Sequence, residues 1–189
     1  MSIVTIRAIA LSFIVLMLTG CYESEVPLIE RGERTALSGS FKCQDPGSKS
    51  SFDIRFSEIR GGSGRLTSYR YEDGEAHSYM FKKLSSGLFL GQAKGERSLS
   101  PFQIDTEGFE FAFVRFLDAN TFMAYLDDMD QKWPQIEKLL EKHQPDYKWD
   151  DDLLLLAGSK EKTLRFLAAH DKTLLKEPTR CERVKTAAQ

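Results

Sequence analysis

Few side chains in this sequence have the types and spacing that acid–base or metal chemistry requires. Asp127 and Asp130 follow the end of a predicted strand, where carboxylates could bind a metal or move a proton. A calcium loop needs a glycine at its tight turn, and this segment has none. Asp130 instead suits the positive N-terminus of the helix predicted after it. The acidic triplet 150–152 likewise favours a solvated turn over a site.

The three histidines lie on separate predicted elements, and none has a partner at a ligand spacing such as i+4. His143 and His170 lie near predicted helix C-termini, where a cationic imidazole is favourable. The glycine-rich run 61–64 lies between two predicted strands and opens no helix, so it is no phosphate-binding loop. We therefore expect no catalytic residue, no cofactor and no metal. An enzyme would need at least two of five side chains to converge in one cleft: His77, His143, His170, Asp127 and Asp130.

The first 21 residues carry the most specific pattern in the chain. Arg7 is the only charge before residue 23, and the apolar run 8–18 is interrupted only by Ser12. As a helix this run would rise about 16 Å, at ~1.5 Å per residue, which is short of a hydrocarbon core of roughly 30 Å. A positive n-region, a short apolar core and small residues after it are typical of a signal peptide.

The end of this segment, Leu18-Thr19-Gly20-Cys21, resembles the lipobox of bacterial lipoproteins: an aliphatic residue, two small residues and a cysteine. The resemblance covers only the signal segment. It implies transfer of a diacylglycerol to the Cys21 thiol, cleavage before Cys21 and acylation of the new amine. Tyr22 follows the cysteine in place of the aspartate associated with inner-membrane retention, which implies the outer membrane, facing the periplasm. In a Gram-positive host the outer face of the plasma membrane replaces it.

Two other interpretations of this segment remain open. It could be an ordinary signal peptide that happens to end near a cysteine, or an N-terminal helix buried in the domain. If Cys21 is acylated, the lipid is the link to the membrane. Two or three acyl chains anchor a protein firmly, whereas a single chain binds only reversibly.

The charge of the mature chain excludes two classes of partner. Cleavage before residue 21 removes one of 26 Lys+Arg and none of 28 Asp+Glu, so the net charge becomes −3. Such a near-neutral mixture argues against a nucleic-acid partner, which would require a basic stripe. It also provides no polybasic surface for anionic lipid.

Two cysteines remain after Cys21, near the two ends of the predicted domain. An exported protein lies where disulfides persist, so the pair predicts a Cys43–Cys181 bridge. Its loop of about 138 residues would contribute roughly 4–5 kcal/mol in the chain-entropy model. Two free thiols are the alternative, and a metal site is disfavoured because neither cysteine has a Cys or His at ligand spacing.

The mature chain divides into a tether and one domain of ordinary size. Residues 21–37 are polar and lack a clear period, which predicts a flexible tether. Alternatively, Val26, Leu28 and Ile29 dock on the domain as an edge strand. The domain is expected at 38–185, with a β meander over 38–127 and a helical part over 128–185.

The pattern within the domain predicts an α+β fold. Short alternating runs such as Phe52 to Phe56, broken by turn residues, predict about eight antiparallel strands in a barrel or a strongly curled sheet. They include a weak strand at 99–104. Helical spacing follows at 133–143 and again after Ser159. The apolar run 153–156 predicts a buried strand, and 180–184 a final strand that carries Cys181.

Aromatic residues are concentrated in the β part, and they allow two interpretations. A barrel lined for an apolar ligand would make the protein a lipocalin-like carrier, whereas a plain aromatic core would carry nothing. General frequencies favour the plain core. The aromatic residues concerned are Phe52, Phe56, Tyr69, Tyr71, Tyr79, Phe81, Phe89, Phe102, Phe109, Phe111, Phe113, Phe116, Phe122 and Tyr125.

Three functional hypotheses follow from these observations. The first is a non-enzymatic envelope lipoprotein that is attached through lipid on Cys21 and binds an envelope protein partner or has a structural role. The second is a carrier of a small apolar ligand inside the β part. The third is an enzyme whose acid–base site forms only in the folded protein.

Overall fold

The structure is a computed structural model, and the residues it describes exclude the predicted signal peptide, the lipobox and Cys21. The described residues are 22–46, 50–61, 66–72, 76–97, 106–125, 129–150, 153–170, 174–175 and 178–184.

Eight antiparallel strands close into a barrel. The strands are β2 (Gly39–Gln44), β3 (Ser51–Arg60), β4 (Leu66–Glu72), β5 (Ala76–Ser85), β6 (Leu88–Arg97), β7 (Thr106–Phe116), β8 (Thr121–Tyr125) and β11 (Thr179–Arg183). Each strand from β2 to β7 pairs with the next one along the chain, and β11 pairs with both β8 and β2. The predicted α+β class with an N-terminal meander is therefore confirmed.

The last strand of the barrel comes from the far end of the chain. The meander supplies seven strands, and β11 occupies the position between the first and the last of them. The predicted strand at 99–104 lies outside the described residues. Alternation along a sequence reveals that a segment is a strand, but the hydrogen-bonded neighbours of that strand are set by the fold.

A second layer covers one side of the barrel. It consists of β1 (Tyr22–Ser24), α1 (Met129–His143), β9 (Asp146–Asp150), β10 (Leu153–Ala157) and α2 (Lys160–Ala168). Both predicted helices and the buried strand at 153–156 are confirmed, whereas β1 and β9 are not predicted by the sequence pattern. Among the described residues, no helix is long and apolar enough to cross a membrane.

The long strand β7 joins the two layers. The residues nearer its C-terminal end pair with β8, and Phe109 and Glu110 pair with β1 instead. Strand β1 then runs parallel to β10, which pairs antiparallel with β9 at the edge of the sheet. One continuous sheet thus passes from the barrel wall into the helical layer.

Because side chains alternate along a strand, β7 contributes to two separate hydrophobic cores. Ala112 and Val114 point into the barrel, where they form part of the barrel core. Phe111 and Phe113 point outward and are buried under the helices, in what we call the outer core. The aromatic residues of the β part are therefore divided between the two cores, and the barrel interior holds only some of them.

The predicted disulfide is confirmed. Cys43 and Cys181 face each other on β2 and β11 as direct partners, with their Cα atoms 4.0 Å apart and their sulfurs bonded. Both are buried in the barrel core, so the bond fixes the C-terminal strand to the first strand of the barrel.

We expect replacement of both Cys43 and Cys181 by alanine to lower the free energy of unfolding by about 3–5 kcal/mol, because a long loop of the unfolded chain is then released. Equilibrium denaturant unfolding of the oxidised protein and of the double variant measures this difference. Adding a reductant should lower the midpoint of the natural protein and leave that of the double variant unchanged. Equal midpoints for the oxidised protein and the double variant would contradict the prediction.

Candidate functional site

The segment predicted to be a flexible tether is folded onto the domain. Tyr22, Leu28, Ile29 and Leu37 are at most 2% exposed. We call residues 22–37 the N-terminal strap. Burying a large apolar side chain contributes about 1.5–3 kcal/mol, so the four together can offset the entropy lost on ordering part of this chain.

The structure therefore differs from the predicted flexible tether, because residues 22–37 pack on the domain. The alternative of a docked edge strand is closer to what is observed. The strand lies over Tyr22–Ser24, however, and Val26, which that alternative would bury, is half-exposed.

Tyr22, at the start of the strap, is held in the outer core by the buried side chain of His170. The His170 Nδ1 atom lies 3.1 Å from the Phe166 carbonyl oxygen, which can only accept, so Nδ1 carries the proton. In the neutral ring the Nε2 atom then accepts from the Tyr22 hydroxyl at 2.7 Å. The imidazole also stacks on Phe113 with ring centroids 4.9 Å apart. Tyr22 is thus fixed by a hydrogen bond and by aromatic packing.

The middle of the strap is held by a buried amide side chain. Gln92, on β6, accepts hydrogen bonds from the backbone N–H groups of Leu28 and Ile29 at 2.7 and 2.8 Å. It also donates to the Ile29 carbonyl oxygen at 3.1 Å. Gln92 thereby satisfies backbone groups that would otherwise be buried without partners at this point of the strap.

The end of the strap enters the barrel core. The Tyr69 hydroxyl accepts from the Thr35 N–H at 2.8 Å and donates to the Thr35 carbonyl oxygen at 3.0 Å. Leu37 is fully buried among the barrel-core residues. The Arg183 guanidinium of β11 donates to the Ala36 carbonyl oxygen at 2.6 Å. The strap is therefore attached to the outer core at its start and to the barrel core at its end.

A small apolar cavity lies in the barrel interior, with a volume of about 50 Å³. Leu37 of the strap, Ala112 and Val114 of β7 and the Cys43–Cys181 disulfide form part of its wall. An engineered cavity that binds benzene is about 150 Å³, and pockets for drug-sized ligands measure roughly 300 Å³ or more. In its present shape the cavity is too small for a fatty acid or a comparable ligand.

The candidate acid–base residues do not form a site that the structure describes. Asp127 lies outside the described residues, as do the side chains of His77 and Asp130. His170 is engaged with Tyr22 in the outer core. Within the part of the chain that the structure describes, no three His, Cys, Asp or Glu side chains are grouped as metal ligands.

His143 differs from its sequence-based expectation. It is the last residue of α1, where the helix dipole would favour a cation. Burial, together with the positive charges of Lys142 and Arg165, instead lowers the pKa of His143 below its ordinary value. Its Nε2 atom is buried without a hydrogen-bond partner among the described residues. The neutral imidazole is therefore the form that the fold favours.

Sequence reasoning does not identify Gln92 and His170 as residues that hold the strap. Gln92 has a weak local signal, since it replaces an apolar residue on the buried face that carries Leu88 and Leu90. The pair of Tyr22 and His170 is separated by 148 residues and has no local signal.

Comparisons with known proteins assign the chain to no family. No family model matches it, and neither the curated proteins nor the solved structures contain a match.

We expect Gln92→Ala to lower the free energy of unfolding by about 2–4 kcal/mol, because buried backbone groups at Leu28 and Ile29 lose their partners. Amide hydrogen exchange at 28–29 should become much faster. Gln135→Ala is the matched control, because this side chain is exposed on α1 and its loss should change neither quantity. Unchanged exchange at 28–29 in Gln92→Ala would show that the strap does not depend on this amide.

The lowered pKa of His143 predicts an acid-linked loss of stability. A histidine whose pKa is lower in the folded state binds its proton more readily when unfolded, so stability falls as pH drops below the unfolded value of about 6.5. His143→Gln should remove this contribution and flatten the fall between about pH 7.5 and 5. Denaturant midpoints of both proteins across this range measure the difference. Parallel pH profiles would contradict the prediction.

Proposed function

We propose that the protein is an envelope lipoprotein, anchored by lipid on Cys21, which acts without catalysis as a protein-binding or structural module on the periplasmic side. The anchor is supported by the signal segment and by the lipobox-like Leu18-Thr19-Gly20-Cys21. An outer-membrane location is supported by Tyr22 at the position that follows the cysteine.

The observation that carries this proposal is the strap. The residue directly after Cys21 is 1% exposed and hydrogen-bonded to His170. A force on the lipid would therefore act on the outer core directly, whereas a flexible linker of this length would reach roughly 20–25 Å. Such a direct connection suits a module that holds a fixed position at the membrane. The same connection is poorly suited to a domain that must reach distant targets.

The anchor is tested by expressing the full chain in a Gram-negative bacterium and determining the mass of its N-terminal peptide. We expect a chain that begins at Cys21 and carries acyl groups, and that floats with membranes in a density gradient. Cys21→Ser should abolish both results. The matched control is the double variant Cys43→Ala and Cys181→Ala, which removes the other two cysteines and should remain acylated. A mature N-terminus at another residue, without lipid, would refute the anchor.

The partner is tested by chemical cross-linking of intact cells that carry the natural chain or Cys21→Ser. We expect a discrete cross-linked species with the natural chain and its loss with Cys21→Ser, because the lipid holds the domain beside its partner. Equal cross-linking in both strains would show that the membrane position is irrelevant to binding. Monomer alone in both would remove the protein-binding role and leave the structural one.

A carrier of a small apolar ligand is the second candidate, and the cavity is the observation that favours it. Its wall is almost entirely apolar, but its volume of about 50 Å³ limits any ligand to a very small molecule unless the barrel expands. Native mass spectrometry of the exported protein, purified without added detergent, distinguishes the two candidates. A bound mass that is lost on denaturation supports the carrier, and a clean mass of the protein alone supports the module.

A further inference from the structure

The edge strand β9 brings two aromatic side chains close to the proposed anchor. In the sheet, Tyr22 is the direct neighbour of Leu154, and Leu154 is the direct neighbour of Trp149. Neighbouring strands are about 4.8 Å apart, so the Trp149 and Tyr22 backbones are separated by roughly 10 Å. In the sequence, Tyr22 directly follows Cys21, the proposed lipid attachment residue.

These aromatic side chains are unusually exposed for their size. Trp149 is 47% exposed and Tyr147 is 42% exposed. They are two residues apart on one strand and therefore share a face, which is also the face of Leu154 and Tyr22. Trp149 packs on Trp133 of α1 with ring centroids 4.6 Å apart, which holds the exposed ring in place. We call Tyr147 and Trp149 the aromatic edge.

We propose that the aromatic edge lies in the headgroup region of the bilayer and forms a second membrane contact beside the lipid anchor. This inference rests on the proposed acylation of Cys21. Trp and Tyr are enriched at membrane interfaces because each combines an apolar ring with a polar group that remains hydrated.

The strap provides the reason why the edge must approach the membrane. A lipid on Cys21 enters the bilayer next to Tyr22, and Tyr22 cannot leave the outer core without breaking its contacts with His170. The surface around Tyr22 therefore stays near the headgroups, which form a layer of about 5–8 Å on each side of the hydrocarbon. The half-exposed rings lie on a strand whose backbone is roughly 10 Å from that of Tyr22, so they are within reach of that layer.

Charge favours a bilayer of neutral lipids over a second copy of the chain. A groove that Tyr147 lines carries the carboxylates of Glu137, Glu141 and Asp146 together with the cation of Lys162, and its net negative charge disfavours anionic lipid. β9 could in principle pair antiparallel with β9 of a second molecule. In the register centred on Lys148, the two Lys148 side chains would then lie directly opposite each other. Like charges directly opposite each other destabilise such a pair.

The chain contains only two tryptophans, so fluorescence can report on the edge directly. The acylated mature protein is reconstituted into phosphatidylcholine vesicles, with and without bromine on the acyl chains near the headgroups. In Trp133→Phe the emission comes from Trp149 alone. We expect this emission to shift to shorter wavelength on reconstitution, to lose intensity with brominated lipid and to become less accessible to acrylamide.

Trp149→Phe is the matched variant, in which only Trp133 emits, and its quenching by brominated lipid should be weaker. If Trp133→Phe does not fold, subtracting the Trp149→Phe spectrum from that of the natural protein gives the Trp149 contribution. Cys21→Ser, which lacks the lipid, should remain in solution, with Trp149 unquenched and accessible to acrylamide.

Vesicle flotation separates failure of the anchor from failure of the edge. Protein that does not float refutes the anchor, and with it the inference that rests on it. Protein that floats while Trp149 remains unquenched and open to acrylamide overturns the membrane contact and leaves the anchor intact. Protection from acrylamide without quenching by brominated lipid would assign the edge to a protein contact, which also overturns the proposal.

Discussion

The constraint on which this fold depends is that β6 and β7 are buried on both faces. Their inner faces fill the barrel with small and apolar groups such as Ala93, Ala112 and Val114. Their outer faces carry Leu88, Leu90 and Phe113, which a barrel alone would leave in water. A second layer has to cover them, and the described strands of the meander all belong to the barrel wall. The two ends of the chain supply that layer.

The chain ends do this in different ways, and each also completes the barrel. The N-terminal strap adds β1 beside β7 in the outer layer and then carries Leu37 into the barrel core. The C-terminal part contributes α1, α2 and two strands to the cover and returns as β11, the strand that closes the barrel. The disulfide then joins β11 to β2. Contacts between residues far apart in sequence therefore hold both layers, and loss of one end would expose both cores.

The same architecture suggests why the protein carries its polar groups where it does. Gln92 and His170, two of the buried polar side chains, hold the strap through hydrogen bonds to it. Tyr69 satisfies the Thr35 backbone at the other end of the strap. Buried polar groups cost free energy unless they are paired, and here the pairing fixes the position of one segment. These hydrogen bonds therefore fix the strap on the domain. A module that must keep a fixed position relative to its anchor would need such a connection.

The sequence by itself determined the secondary structure of the meander, both helices, the buried strand β10, and the two cysteines that are bonded. Period-two alternation, helical spacing and residue type are local properties. Once Cys21 is set aside as the proposed lipid site, two cysteines remain and only one pairing is possible. It also contains the lipobox-like segment, which remains the basis for the proposed location.

Only the tertiary structure decided that residues 22–37 are folded, that β11 closes the barrel and that the aromatic residues divide between two cores. The strap has no regular period, because Tyr22, Leu28, Ile29 and Leu37 are buried against different elements and not along one face. Strand β9 is likewise hidden from sequence patterns, since it is exposed at the sheet edge and alternates charged with aromatic residues. Such features depend on which surface another part of the chain leaves uncovered. A local sequence pattern contains no information about that surface.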